Sequence, residues 1–167
     1  MSNQLEKDQE YLEPIPVHAV MAKLFAHISK EVVDRFGDEG REAIREGVRK
    51  FGEERGKGIA KRAELAGQTN EIENYLSNYD MGKSDHFECK SVYKENELEL
   101  TYTKCLIGEQ FLKDGMEEYG MIYCKNIDPA LARGFNPDIE VKHNKFLIKD
   151  GICQFCFKMK DSDEDKY

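Results

Sequence analysis

The spacing of apolar residues changes period repeatedly along this chain, and each change restricts the element that can follow. From Val17 to Phe36 the set Val17, Val20, Met21, Leu24, Phe25, Ile28, Val32 and Phe36 recurs at helical spacing. Gly37 is placed to end that helix and Asp38 to cap the next. Ile44, Val48, Phe51, Arg55 and Ile59 then continue the helical spacing, and the pattern runs to Ala66-Gly67. A shorter helix is predicted from Gln68-Thr69-Asn70 through Tyr75-Leu76. The period next falls to two. Phe87, Cys89, Ser91 and Tyr93 alternate, Glu95-Asn96 turns, and Leu98, Leu100 and Tyr102 alternate again up to Cys105, which predicts a β-hairpin. Helical spacing returns with Phe111, Leu112, Met116 and Tyr119, Gly120 is a break, and a further helical segment runs from Ile122 toward Arg133. Finally Ile139–Val141 and Lys145–Ile148 lead through Asp150-Gly151 into Ile152–Met159, and Asp-Gly between apolar runs signals a second hairpin. The order helices, hairpin, helices, hairpin predicts an α+β fold. Its N-terminal helices pack on an antiparallel sheet of about four strands, built from two hairpins separated by helices.

With 167 residues and 40% hydrophobic content the chain can bury a core without disulfide or metal staples. A single domain is expected over 14–160, after a polar arm at 1–13 and before an acidic tail at 161–167. No apolar run approaches a membrane span, and the first residues form no secretory h-region, so a cytoplasmic protein is expected. A net charge of −8 disfavours nucleic acid and anionic membranes as partners and leaves a small molecule as the expected one, with homo-oligomerisation left open. The basic residues between Arg41 and Arg62 alternate with glutamates and read as a solvated helix face.

The second helix carries Gly47, Gly52, Gly56 and Gly58, each disfavoured by about 1 kcal/mol against alanine in a helix interior. Close approach of another backbone, or a bend opening space beside the helix, would compensate, so this helix is expected to wall a pocket or a tight helix pair. His18 and His27 read as surface or core-edge residues. The five cysteines are an odd number, and in a reducing compartment the choice for each is packing, catalysis or metal. Cys153-x-x-Cys156 has metal-ligand spacing, but in a strand that offset points the sulfurs to opposite faces. Spacing leaves open a thiolate site assembled from Cys105, Cys124, Cys153 and a histidine, so cofactor and metal are unassigned. No phosphate loop, dinucleotide fingerprint or Gly-x-Ser-x-Gly elbow occurs.

The stretch from Tyr123 to Pro137 concentrates Cys124, Asp128 and Asn136 between two X-Pro steps. Asp128-Pro129 has the form of a helix cap with proline at the first helical position, Gly134 of a helix end, and Asn136-Pro137 of a turn. Those are the commoner roles of such residues. A site here would need a helix N-terminus beside Cys124 to stabilise its thiolate.

The ordered set Cys105, Tyr123-Cys124-x-x-x-Asp128, Gly134-Phe135-Asn136-Pro137 and Asp150-Gly151-x-Cys153-x-Phe155-x-Phe157 resembles the L-2-amino-thiazoline-4-carboxylic acid hydrolase family. Phe51-Gly52-Glu53-Glu54-Arg55-Gly56 resembles its glycine-bearing helix, and the likeness spans Val17 to Met159. More distantly, the last hairpin is similar to four-vinyl-reductase-like ligand-binding domains. The chain departs from the pattern at Lys149, where a glycine commonly stands, and at Leu106, where a proline does. The resemblance implies a hydrolase of non-peptide C–N bonds in a small cyclic amidine. Under it Cys124 or Cys153 is the expected nucleophile and Asp128 the base or orienter. Asn136 would polarise the substrate, Arg55 would bind a carboxylate, and Cys105 would line the pocket. The alternative is a non-catalytic small-molecule or metal-binding module using the same cavity.

Overall fold

The computed structural model describes residues 13–160; the arm expected at 1–13, except for Glu13, and the tail expected at 161–167 lie outside them. Helix α1 (Val17–Leu65) is two arms, 17–36 and 38–65, joined at Gly37, whose φ of 58° and ψ of −130° leave the helical region. The break falls where the sequence puts it, at a residue without a Cβ to clash at positive φ. Nothing lies within 4 Å of a Cβ added there, so Gly37→Ala would meet backbone strain alone. It is expected to lose about 1–3 kcal/mol of stability, read as a lower denaturation midpoint with unchanged m.

Two 3-10 turns, Ile72–Asn74 and Leu76–Asn78, follow in place of the expected shorter α-helix. Strands β1 (Phe87–Lys94) and β2 (Glu97–Cys105) form the predicted hairpin, with Asn96 at φ 56° in its turn. Helix α2 (Leu106–Lys113) starts directly from the strand and ends before Gly115 (φ 65°), and α3 (Glu117–Phe135) follows. Gly120 therefore does not break a helix. It lies inside α3, where an added Cβ would collide with the Phe111 ring. β3 (Ile139–Lys145) and β4 (Cys153–Met159) pair antiparallel as expected, but the helical turn α4 (Leu147–Asp150) joins them, ended by Gly151 at φ 76°. The fold is α+β, with one four-stranded antiparallel sheet in the order β1-β2-β4-β3.

Alternation decides what the sheet buries. Leu98 and Leu100 on β2 sit opposite Phe157 and Phe155 on β4, and Ile139 joins them from β3. Against that face pack Ile59 and Ala63 of α1, Ile72 and Tyr75 of the 3-10 turns, and Leu131 and Phe135 of α3. The second arm of α1 crosses α3 backbone to backbone. A Cβ on Gly52 would lie 2.5 Å from the Ala130 Cβ, and one on Gly56 would lie 2.8 Å from the Gly134 Cα and closer still to the Leu131 carbonyl oxygen. Gly47 and Gly58 meet nothing within 4 Å. Two of the four glycines are thus explained by tight helix contact.

That contact also carries α3 straight through Asp128-Pro129, where the sequence suggests a new helix start. Proline removes one helical hydrogen bond, the one its N–H would give Lys125, and favours a kink or break. Burial of Ile127, Ala130 and Leu131 on either side of it holds the helix continuous. In the first arm of α1 the large apolar stripe is not the buried face. Ala19, Ala22, Ala26 and Ser29 are buried, while Val17, Val20, Met21, Leu24 and Ile28 are 48–63% exposed.

Candidate functional site

A cavity of about 720 Å³ opens between the second arm of α1, the loop after the 3-10 turns, α3 and the sheet. Arg55, Cys105, Cys124, Asp128 and Cys153, brought from four elements, all line it. Cys124 and Asp128 are four residues apart on α3 and so share one face. Cys105 ends β2 and Cys153 begins β4. Asn136 is not among the lining residues. Its carboxamide donates to the Asn70 carbonyl (2.8 Å) and accepts from the Asp138 N–H (2.9 Å), closing the turn after α3.

The thiols are neutral here. Burial pushes Cys124 well above the usual thiol range, with Cys105, Cys153 and Asp128 adding to the effect. Burial pushes Cys105 up to about 12, although the Gly108 and Ile107 N–H groups at the start of α2 pull it down. Cys153 is also raised by burial, against a hydrogen bond from the Leu147 N–H at 3.2 Å. The helix N-terminus expected beside Cys124 does not exist, because Cys124 and Asp128 both lie inside α3. Helix-start N–H groups instead face Cys105 and Cys153, and burial outweighs them at both.

Asp128 is the electrostatic hub. Burial is the main reason that Tyr75, Tyr79, Tyr102 and Tyr123 are held neutral, and the Asp128 charge adds to it at each. Its Oδ2 lies 3.5 Å from Nε2 of His143, whose side chain is only 8% exposed and stacks on Phe146 with ring centroids 4.6 Å apart. Opposite in charge is Arg55. Burial works against its cation, but Asp80 holds it through Nε–H to Oδ2 (2.8 Å) and Nη2–H to Oδ1 (2.7 Å). Its guanidinium also lies over Phe51 and Tyr79, 5.5 and 5.7 Å from the ring centroids. Two of its five N–H donors are used on Asp80, which leaves others for a ligand.

Sequence reasoning missed His143, Tyr79 and Tyr102, and it gave no role to the third lining phenol, Tyr123, although that residue stands in the matched stretch. Alternation held the signal for two of these. His143 continues the inward series Ile139, Val141, and Tyr102 continues Leu98, Leu100, so each places a polar group on the core face of the sheet. Among the described residues no three His, Cys, Asp or Glu side chains come together in a way that could hold a metal ion. Nor is any described helix long and apolar enough to cross a membrane.

No curated protein and no solved structure matches the chain. The family model for L-2-amino-thiazoline-4-carboxylic acid hydrolase matches residues 18–157, a span that holds every residue lining the cavity. With that match running from the first arm of α1 to the last core phenylalanine of β4, the chain belongs to the L-2-amino-thiazoline-4-carboxylic acid hydrolase family.

Proposed function

We propose that this chain hydrolyses a C–N bond in a small cyclic amidine that also carries a carboxylate, with water as the nucleophile and the Asp128–His143 pair as its base. The observation that carries this reading is the pairing of a half-buried carboxylate with an imidazole only 8% exposed, in a cavity that also holds a half-buried guanidinium. An amidinium suits Asp128 among neutral phenols, and a carboxylate suits the spare donors of Arg55. The ligand that matches both is a zwitterion.

The chemistry then runs on this chain's own groups. Asp128 holds His143 through Nε2, leaving Nδ1 to take a proton from water. The hydroxide oxygen bonds to the amidine carbon, and the C=N π electrons move onto nitrogen. The departing nitrogen receives the proton held by His143 as the ring C–N bond breaks. The hydroxyl proton of the tetrahedral adduct passes to the freed Nδ1 of His143 as C=O forms, to be returned to the released amine. Phenol O–H groups around the site donate to the developing charge. At 3.5 Å the contact is long for this role and is expected to shorten when ligand binds. The cavity has room for about two dozen waters at about 30 Å³ each, so it also admits rings bearing an apolar substituent.

Thiol catalysis is the competing mechanism, and burial of the neutral thiols counts against it. Cys124→Ser and Cys153→Ser are each expected to keep ring opening of L-2-amino-thiazoline-4-carboxylate within about tenfold of the parent, followed by loss of the ring in proton NMR. Loss of at least a thousandfold in either, with the fold intact by circular dichroism, would reinstate a cysteine nucleophile. Binding of the same compound by thermal shift with no product formed would make the cavity that of a ligand-binding module.

A further inference from the structure

The first arm of α1 is built with its large residues outside. Val17, Met21, Leu24 and Ile28 follow spacings of four, three and four, the seam of a coiled coil, and Val20 widens it. On the opposite side of the same arm, Ala19, Ala22, Ala26 and Ser29 press against the body of the protein. The arm cannot roll over to bury the stripe, because the space under it fits alanine and serine, not leucine and methionine. Its five large residues stand 48–63% exposed side by side, an apolar stripe of a few hundred Å² at the upper end of what monomers usually leave bare. An apolar groove of about 340 Å³ between the two arms of α1, lined by Phe25, Ile44 and Val48, runs along its flank.

We infer that this face pairs with the same face of a second copy of the chain, α1 against α1 about a two-fold axis. The stripe and the groove beside it would form the apolar centre of such a contact, with a polar rim making up the standard share of about 800 Å² from each partner. Met21 and Ile28 of the stripe also wall the groove, so one face offers both a ridge and a recess to a copy of itself, as a two-fold contact requires. The seam continues at the same spacing into Glu31 and Arg35, which carry opposite charges and end the apolar part. Antiparallel pairing keeps each of these away from its own copy. Other occupants fit less well. A net charge of −8 opposes an anionic bilayer, and residues 1–12 supply only Met1, Leu5, Tyr11 and Leu12 as large apolar groups to cover the stripe.

Sedimentation equilibrium on the full chain tests this, from about 1 to 100 μM. The 19.3 kDa chain is expected to form particles of twice that mass, and Leu24→Glu/Ile28→Glu is expected to return it to a monomer with unchanged helicity. Val92→Glu, at a side chain 51% exposed on β1, serves as the control and is expected to leave the dimer intact. A parent chain that stays monomeric at 100 μM would overturn the inference. So would a dimer that survives Leu24→Glu/Ile28→Glu, or one that Val92→Glu dissolves.

Discussion

Asp128→Asn is expected to cut ring opening by roughly a hundredfold to ten thousandfold, the range for removing a positioned acid–base group, while the protein melts near the parent temperature. Asparagine keeps the shape of the side chain, so the loss would report the charge. The carboxylate sits 3.5 Å from the His143 imidazole and adds to the field at four phenols and three thiols. Removing it should therefore also let the phenols of Tyr79, Tyr102 and Tyr123 ionise more easily, since Asp128 is one of the causes holding them up. Ultraviolet titration of tyrosinate absorbance, carried to the alkaline limit of the folded state because burial holds these phenols far above the usual range, reads that shift without any substrate. If ring opening were unaffected while the tyrosinate curve moved, Asp128 would be electrostatic scaffolding and the base would lie elsewhere.

The second large effect is structural. Gly56→Ala puts a methyl group onto the Leu131 carbonyl oxygen, with the Gly134 Cα and Phe135 nitrogen each 2.8 Å away. All three are backbone, so relief requires the two helices to separate. A loss of about 3 kcal/mol is expected, at the upper end of ordinary overpacking. For a chain of this size that lowers the melting temperature by roughly 6–12 °C. Gly58→Ala is the internal comparison. It lies two residues further along the same helix, with nothing within 4 Å of the added carbon. There alanine should raise stability by up to about 1 kcal/mol through helix propensity alone. Opposite signs from two neighbouring glycines in one differential scanning experiment would separate packing from propensity. The crossing also matters to the site, because α1 delivers Arg55 to the cavity and α3 delivers Cys124 and Asp128.

What could be read from the sequence follows from which forces are local. Periodicity gave the two arms of α1, the hairpin of β1 and β2 and the antiparallel pairing of β3 with β4, because burial of one face imposes its period directly on the residues. The break at Gly37 was equally legible. Local signals misled where tertiary packing outweighed them. Pro129 is a good helix starter in isolation, yet the buried residues around it keep α3 running. Gly120 resembles a helix end, but it is a glycine because Phe111 lies on it. Asp150-Gly151 does end an element at positive φ, though the element is the helical turn α4.

The candidate site was legible only in part. Local sequence singled out Cys124 and Asp128, spacing left Cys105 and Cys153 open as their partners, and the resemblance gave these and Arg55 their roles. All five meet at one cavity although they come from distant parts of the chain. What the residue types could not supply was the protonation state of the thiols. That depends on burial, and burial belongs to the fold. His143 was visible only as the third member of an inward series on β3. Asn136 drew attention through its neighbours, and its carboxamide is taken up by Asn70 and Asp138.

The strand order has a consequence for how far association can proceed. β1 and β3 are the two edges of the sheet. Lys90 and Lys94 stand on one, and Glu140, Lys142 and Lys145 on the other. Charged side chains on an exposed edge oppose the addition of another chain's strand, the open-ended route by which sheet proteins grow into fibrils. Most of the exposed large apolar side chains lie on the helical layer instead, where a two-fold contact would use itself up in one step. The pairing inferred through α1, if the sedimentation experiment bears it out, is therefore one that stops at two.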